Sequence, residues 1–224
     1  IAASEVLRSF RNPAAIPALI AGLDSERAET RLAAVVALRD RRAPDAVEKL
    51  LGSLGDPEPE VRREAVLALA QYRRDDLLLA FRSALRDESP AVRRVAVSVI
   101  AEFDSAFVFD DLVVSLDDEN WQVRRESAIA LGRFPGQAAE AALTDSLNDP
   151  SWQVAREATV SLGRLRSAGS GKVAALLVHE LADLRIAAAI ALGESRNSAW
   201  LDKLEPLLND PAPGVQNSAR GALA

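Results

Sequence analysis

The stretch Leu116-Asp-Asp-Glu-Asn-Trp-Gln-Val-Arg-Arg-Glu-Ser-Ala-Ile-Ala-Leu-Gly-Arg-Phe134 decides the fold, because it is written more than once. From Leu147 the chain reads Leu-Asn-Asp-Pro-Ser-Trp-Gln-Val-Ala-Arg-Glu-Ala-Thr-Val-Ser-Leu-Gly-Arg-Leu, and from Leu85 it reads Leu-Arg-Asp-Glu-Ser-Pro-Ala-Val-Arg-Arg-Val-Ala-Val-Ser-Val-Ile-Ala-Glu-Phe. The period is 31 residues. A period in this range marks stacked supersecondary units that bury their apolar faces only against their neighbours.

Extended in both directions, the same register collects Leu7, Leu38, Leu69, Ile100, Leu131, Leu162, Leu192 and Leu223, with a single step of 30. Eight residues upstream stand Thr30, Val61, Val92, Val123, Val154, Leu184 and Val215. Midway between them come Ala34, Ala65, Ala96, Ser127, Ala158, Ala188 and Ala219. Positions 0, +4 and +8 share one face of a helix, so these sets are the buried stripe of a repeated second helix, B, whose small middle residue admits a close neighbour. Ahead of each B helix lies an apolar-periodic A helix: Ala14–Leu23, Asp45–Leu54, Asp76–Leu85, Phe107–Leu116, Ala138–Leu147 and Trp200–Leu208. The turns between them carry Asp56, Asp87, Asp118, Asp149 and Asp210. Ser89, Asn120 and Ser151 stand at N-cap positions, followed at N1 by Pro90, Trp121 and Trp152, with Pro59 and Pro213 in the same slot.

The expected fold is therefore all-α: a right-handed α-solenoid, or superhelix, of stacked antiparallel helix pairs. One array spans 1–224, with a partial repeat at 1–11 and repeats at about 13–41, 44–72, 75–103, 106–134, 137–165, 170–195 and 198–224. The segment from Leu162 to Leu192 is irregular. Matching Leu181 and Asp183 to Leu147 and Asp149 lengthens the loop at 167–171, removes most of the next A-to-B turn, and implies a kink near 167–184. Residues 1–11 read as a B helix without its A partner, an uncapped N-terminal face suited to self-association. The chain opens on Ile and contains no Met, so a processed or excised segment is expected.

Composition narrows the function. The formal net charge of −6 opposes binding to nucleic acid or anionic membrane. Without cysteine there are no disulfides, thiolate metal sites or Cys nucleophile. No apolar run reaches membrane-span length, and no signal peptide opens the chain. A cytoplasmic location is expected.

The pattern Leu-x-Asp-Pro-x-x-x-Val-Arg-x-x-Ala-x-x-Ala-Leu-Gly, clearest in 54–69 and 147–163, resembles the short HEAT-like repeats first described in phycobilin lyases. The resemblance covers nearly the whole chain. It implies B helices lining the concave side and an inter-repeat ladder joining the turn residues Asp56, Asp87, Asp118 and Asp149 to the Arg after each Val: Arg31, Arg62, Arg93, Arg124 and Arg185. Ala155 and Gln216 interrupt that ladder. No two repeats are identical, which argues for a natural protein over a consensus design.

Facing away from the core, the B helices present rows at −2, +2, +6 and +9 from the Val position. The +2 row is Arg63, Arg94, Arg125 and Arg156. The +6 row is Val36, Leu67, Ser98, Ile129, Val160 and Ile190. The +9 row is small: Ala70, Ala101, Gly132, Gly163 and Gly193. Trp121 and Trp152 form the −2 row, each four residues before an Arg and placed for a cation–π contact. These rows predict a groove with an apolar floor, a small-residue margin and an Arg rim. The alternative is structural: the +6 residues pack between B helices, the Trp pair covers turns, and Glu64, Glu126 and Glu157 neutralise part of the Arg row.

No catalytic set is evident, and no metal site or cofactor is expected. Deoxyhypusine hydroxylase, a similar HEAT-like solenoid, holds its iron pair with several His-Glu dipeptides; this chain has one, His179-Glu180, and the preferred register puts His179 on the outer face of an A helix. Acidic pairs such as Asp75-Asp76, Asp110-Asp111 and Asp117-Asp118 fall at helix starts and turns, where carboxylates satisfy free N–H groups. Gly-Ser-Gly-Lys at 169–172 lacks the strand and spacing of a phosphate loop. The sequence reads as a non-enzymatic scaffold that binds another protein or peptide segment, apolar and acidic, in the B-helix groove. A bilin lyase-like or bilin-handling factor is the first alternative, with propionates on Arg94, Arg125 or Arg156. Nucleic-acid binding along the Arg row is the second.

Overall fold

The computed structural model describes residues 15–167 and 171–224. The partial repeat expected at 1–11 and the centre of the loop at 167–171 lie outside them. Every regular element among the described residues is helical. The chain divides into two compact units, 1–103 and 104–224.

In the first unit the helices are α1 (Ile16–Gly22), α2 (Ala28–Arg39), α3 (Val47–Gly52), α4 (Pro59–Ala70), α5 (Leu78–Ala84) and α6 (Pro90–Ile100). The second unit has α7 (Ser105–Val114), α8 (Trp121–Leu131), α9 (Gln137–Asp145), α10 (Trp152–Arg164), α11 (Gly171–Ala175), α12 (Ala182–Glu194), α13 (Leu201–Leu204) and α14 (Pro213–Leu223). Odd-numbered members are the A helices and even-numbered members the B helices. Each A helix packs on the B helix that follows it. B helices stack in sequence, α2 on α4 on α6 in the first unit and α8 on α10 on α12 on α14 in the second.

The A helices are short and taper into 3₁₀ turns such as Ser53–Gly55, Ser115–Asp117, Ser146–Asn148 and Leu176–Val178. That tightening satisfies carbonyls the α-helix leaves unpaired at its end. Pro59, Pro90 and Pro213 each open a B helix, where the missing N–H has no partner to lose. Trp121 and Trp152 open α8 and α10 in the same slot.

The buried stripe contains the residues of the repeat register: Val61, Ala65 and Leu69 on α4, Val92, Ala96 and Ile100 on α6, Val154, Ala158 and Leu162 on α10. The A helices contribute Leu50 and Phe81 to the core of the first unit and Leu112, Leu143 and Leu204 to that of the second. Phe81 meets Phe103 at a ring-centroid distance of 5.8 Å within the first unit.

The +9 glycines of the second unit, Gly132, Gly163 and Gly193, lie between B helices and form no groove margin. A methyl on Gly163 would stand 2.8 Å from Ala191 Cα, and one on Gly193 would stand 2.7 Å from Ala222 Cα. At Gly132 the missing methyl leaves room for Ser161, whose hydroxyl donates across the seam to the Ala128 carbonyl at 2.8 Å. Glycine is required at these seams by close backbone approach.

Four of the B-to-A turns pass through a left-handed residue four positions after the buried Leu. Glycine is the usual choice there, yet in these turns the residue is arginine: Arg42 (φ 48°), Arg73 (φ 48°), Arg166 (φ 54°) and Arg196 (φ 52°). All four side chains are exposed.

Candidate partner-binding surface

The turns that carry the B-helix N-termini repeat one device. The turn Asp accepts a hydrogen bond from the N–H two residues on: Asp56 from Glu58 (2.9 Å), Asp87 from Ser89 (2.8 Å), Asp118 from Asn120 (2.8 Å), Asp149 from Ser151 (2.7 Å) and Asp210 from Ala212 (2.8 Å). Because Asp already holds the turn, a capping side chain is dispensable. Asn120 caps α8 by accepting from Gln122 N–H, while Ser89 and Ser151 make no such bond.

The same carboxylates receive a forked guanidinium from the preceding repeat. Arg31 grips Asp56 at 2.6 and 2.8 Å, Arg62 grips Asp87 at 2.8 and 2.8 Å, Arg124 grips Asp149 at 2.7 and 2.9 Å, and Arg185 grips Asp210 at 2.8 and 2.8 Å. Each Arg also donates to carbonyls of its own turn, as Arg62 does to Asp56 O and Pro57 O, and Arg93 to Asp87 O and Glu88 O. The Arg31 bond holds the Asp56 carboxyl below the ordinary carboxylate range, and the Arg185 bond does the same for Asp210. At Asp87 burial pushes upward, but Arg62 and the Ser89 N–H outweigh it and the net direction is down.

Two positions interrupt this ladder. Gln216 keeps the bond to its own turn, donating to Asp210 O at 2.8 Å, but carries no charge forward. At the other, both partners are replaced. Ala155 stands where the Arg belongs, and His179 takes the place of the Asp. The His179 Nδ1 accepts from Leu181 N–H at 3.0 Å, and Arg185 donates to His179 O at 2.7 Å, as Arg124 does to Asp118 O. This overturns the register expected from sequence. The A-to-B turn is present, His179 lies in it and not on the outer face of an A helix, and Leu177, not Leu181, is the buried equivalent of Leu147. The deletion falls before α11, so Leu184 follows His179 by the usual five residues.

On the solvent side of the B helices, the sequence-predicted residues of the first unit are half-buried: Arg63 and Leu67 on α4, and Arg94 on α6. Arg63 donates to Glu64, which Arg39 also reaches. In the second unit Trp121, Arg125 and Ile129 on α8 lie beside Trp152, Arg156 and Val160 on α10. Trp152 is 38% exposed. The expected Trp–Arg cation–π contacts do not form among the described residues. Arg125 Nη2 and Arg156 Nη1 instead both donate to Glu157 Oε1, at 3.2 and 3.1 Å, and Glu157 is buried between them. A cation–π contact occurs elsewhere, with Lys203 Nζ 5.1 Å from the Trp200 ring.

The surface also includes Ile186, which the sequence-derived rows omit. On α12 it occupies the position of Arg125 and Arg156, beside Ile190, which is 43% exposed. The sequence-derived row collects only the arginines at this position, although the register already lines Leu184 up with Val154 and Ile186 follows it by two residues. Groups of acidic and histidine residues able to hold a metal are absent among the described residues. No described helix is long and apolar enough to cross a membrane.

A family model for HEAT repeats matches residues 1–70, 48–113, 78–163 and 109–184, and one for the PBS lyase HEAT-like repeat matches 184–210. The chain belongs to the HEAT repeat family. Among solved structures it is similar to Escherichia coli YibA, with 20% identity over 95% of this chain and 82% of that one and a TM-score of 0.75. It is also similar to Kap95p in its complex with RanGDP (15% identity, 95% and 34% coverage, TM-score 0.65) and to a designed armadillo repeat protein (19% identity, 93% and 98% coverage, TM-score 0.51). These likenesses establish an α-solenoid. None of the curated proteins matches the chain.

Proposed function

We propose that the protein is a non-enzymatic interaction scaffold that binds a segment of another protein on the B-helix surface of its second unit. One observation carries the reading: two tryptophans open adjacent B helices in a slot the register otherwise fills with Pro or Ala, and both retain solvent exposure, as do Ile129 and Val160 further along the same helices. Covering a large aromatic ring is strongly favourable. Leaving Trp152 38% exposed forgoes part of that stabilisation, which a partner would recover. Repeat solenoids commonly serve as scaffolds, and Kap95p, solved with RanGDP, is one that takes a protein partner. The bilin-handling alternative, with propionates on Arg94, Arg125 or Arg156, rests on the repeat-family resemblance alone. The net charge of −6 opposes a nucleic-acid reading.

The test begins with panning immobilised protein against displayed random dodecapeptides and measuring the Kd of the enriched peptides. Trp121→Ala combined with Trp152→Ala should weaken them by at least about thirtyfold, the counterpart of roughly 2 kcal/mol for a lost anchor. Unchanged affinity in a folded double variant rules the reading out.

A further inference from the structure

The partner-facing surface of the second unit is not uniform along the stack. On α8 and α10 the register positions hold Trp121 with Arg125 and Trp152 with Arg156. On α12 those two positions hold Ala182 and Ile186, followed at +6 by Ile190 where α8 and α10 carry Ile129 and Val160. Ile186 lies against α14, where a methyl on Gly214 would stand 3.0 Å from its Cδ1, so α14 supports the apolar end.

Charge at the other end is unbalanced. Two guanidinia, Arg125 and Arg156, converge on one carboxylate oxygen of Glu157. One positive charge is left over where α8 meets α10, in a chain whose net charge is negative. Glu126 holds the register position of Glu157, which places it on the side of α8 away from α10. Both guanidinia are 42–43% exposed at the side chain, so a second carboxylate can approach them without displacing Glu157. Stacked helices are about 8–10 Å apart, close to three residues of an extended chain.

Building on the function proposed above, we infer that the partner segment binds in one orientation: a carboxylate over Arg125 and Arg156, and apolar side chains about three to six residues along the chain over Ile186 and Ile190. The two ends differ in chemistry, so the reversed orientation would set a carboxylate against an isoleucine surface. That desolvates the charge without a partner, while the forward orientation adds charge-assisted hydrogen bonds to the guanidinia. Specificity for direction follows from this difference.

Enriched dodecapeptides from the panning above should share one Asp or Glu on a fixed side of an apolar pair. Spin labels at the two peptide ends should separate: a label at the acidic end broadens the Trp152 indole N–H signal, and one at the apolar end broadens the Ile190 methyl signal. Arg125→Gln with Arg156→Gln should weaken the acidic peptides about tenfold and leave their uncharged amide analogues unchanged. Because that pair leaves Glu157 uncompensated, Ile190→Lys, at an exposed position, gives a second reading: panning on it should replace the apolar pair with acidic residues. Equal broadening from both ends, or no preference for acid, overturns the inference. If the tryptophan variant loses binding while the arginine and isoleucine variants do not, the scaffold function stands and the orientation falls. A tryptophan variant that binds as well as wild type removes both.

Discussion

At the scale of single residues, the structure separates positions that look alike in sequence. Gly52 and Gly163 are both helical glycines. A methyl added to Gly52 would meet nothing within 4 Å, whereas one on Gly163 would run into the Ala191 backbone. Gly52→Ala should therefore stabilise by about 0.5–1 kcal/mol through backbone entropy. Gly163→Ala should destabilise by about 1–3 kcal/mol through overpacking. Urea midpoints of the two variants check both signs. Ser127 occupies the small middle position of α8, is fully buried, and its hydroxyl has no partner among the described residues. The equivalent residues in six other repeats are alanine. Ser127→Ala should raise stability by about 1–2 kcal/mol, seen as a higher melting temperature. Arg42, Arg73, Arg166 and Arg196 hold left-handed backbone that costs an L side chain roughly 1 kcal/mol. Each Arg→Gly change should be neutral to stabilising by calorimetry, in contrast to Arg→Val, which the left-handed conformation penalises further.

Among elements, the ladder is the coupling between repeats that sequence and structure state most directly. Its forked bonds are largely shielded from water, and the chain shows how a rung is removed. Where Ala155 replaces the Arg, the facing residue is His179, so no carboxylate loses its guanidinium. The histidine retains the turn bond that the Asp would have made, which needs only an acceptor. This predicts strong coupling in a double-mutant cycle at Arg124 and Asp149. Arg124→Ala alone should cost about 2 kcal/mol, since Asp149 is left with only its turn bond, and Arg124→Ala with Asp149→His should cost less than the sum of the single changes. Additive losses in denaturant midpoint count against the ladder as a coupled unit. Apolar contact and close glycine packing, Gly163 against Ala191, hold the seam that lacks a rung.

Across the molecule, the ladder carboxylates set the acid limit of stability. Asp56, Asp87 and Asp210 have folded-state pKa values below their ordinary value. Their contribution is therefore fully present above the unfolded carboxylate value, near pH 3.9, and is lost as pH falls through the lower folded values. The melting temperature should hold steady on this account from neutral pH down to about pH 5 and fall steeply below about pH 4. Asp87→Asn should lose part of that acid dependence, a result read from melting curves against pH.

The repeat period, the helix pairs and the buried Val–Ala–Leu stripe are legible in the sequence because each is a local spacing copied many times, and the Arg–Asp rungs are implied by the resemblance to HEAT-like repeats. Periodicity averages out local noise, and a stripe at 0, +4 and +8 has one helical interpretation. Sequence reasoning fails where a spacing is broken once. A single missing residue before α11 moves His179 out of the expected place, although the five-residue step from His179 to Leu184, the same as from Asp149 to Val154, holds the correction. Tertiary packing alone decides the rest. Whether a small residue lines a groove or a seam depends on which backbone lies opposite, so Gly132, Gly163 and Gly193 acquire their meaning from the neighbouring helix. Likewise Arg125 and Arg156 have equal access in sequence to a tryptophan one turn away and to a glutamate on or beside their own helix. The approach of α8 to α10 brings Glu157 between them, and a buried carboxylate outcompetes a ring face for a guanidinium because its charge has no other source of solvation.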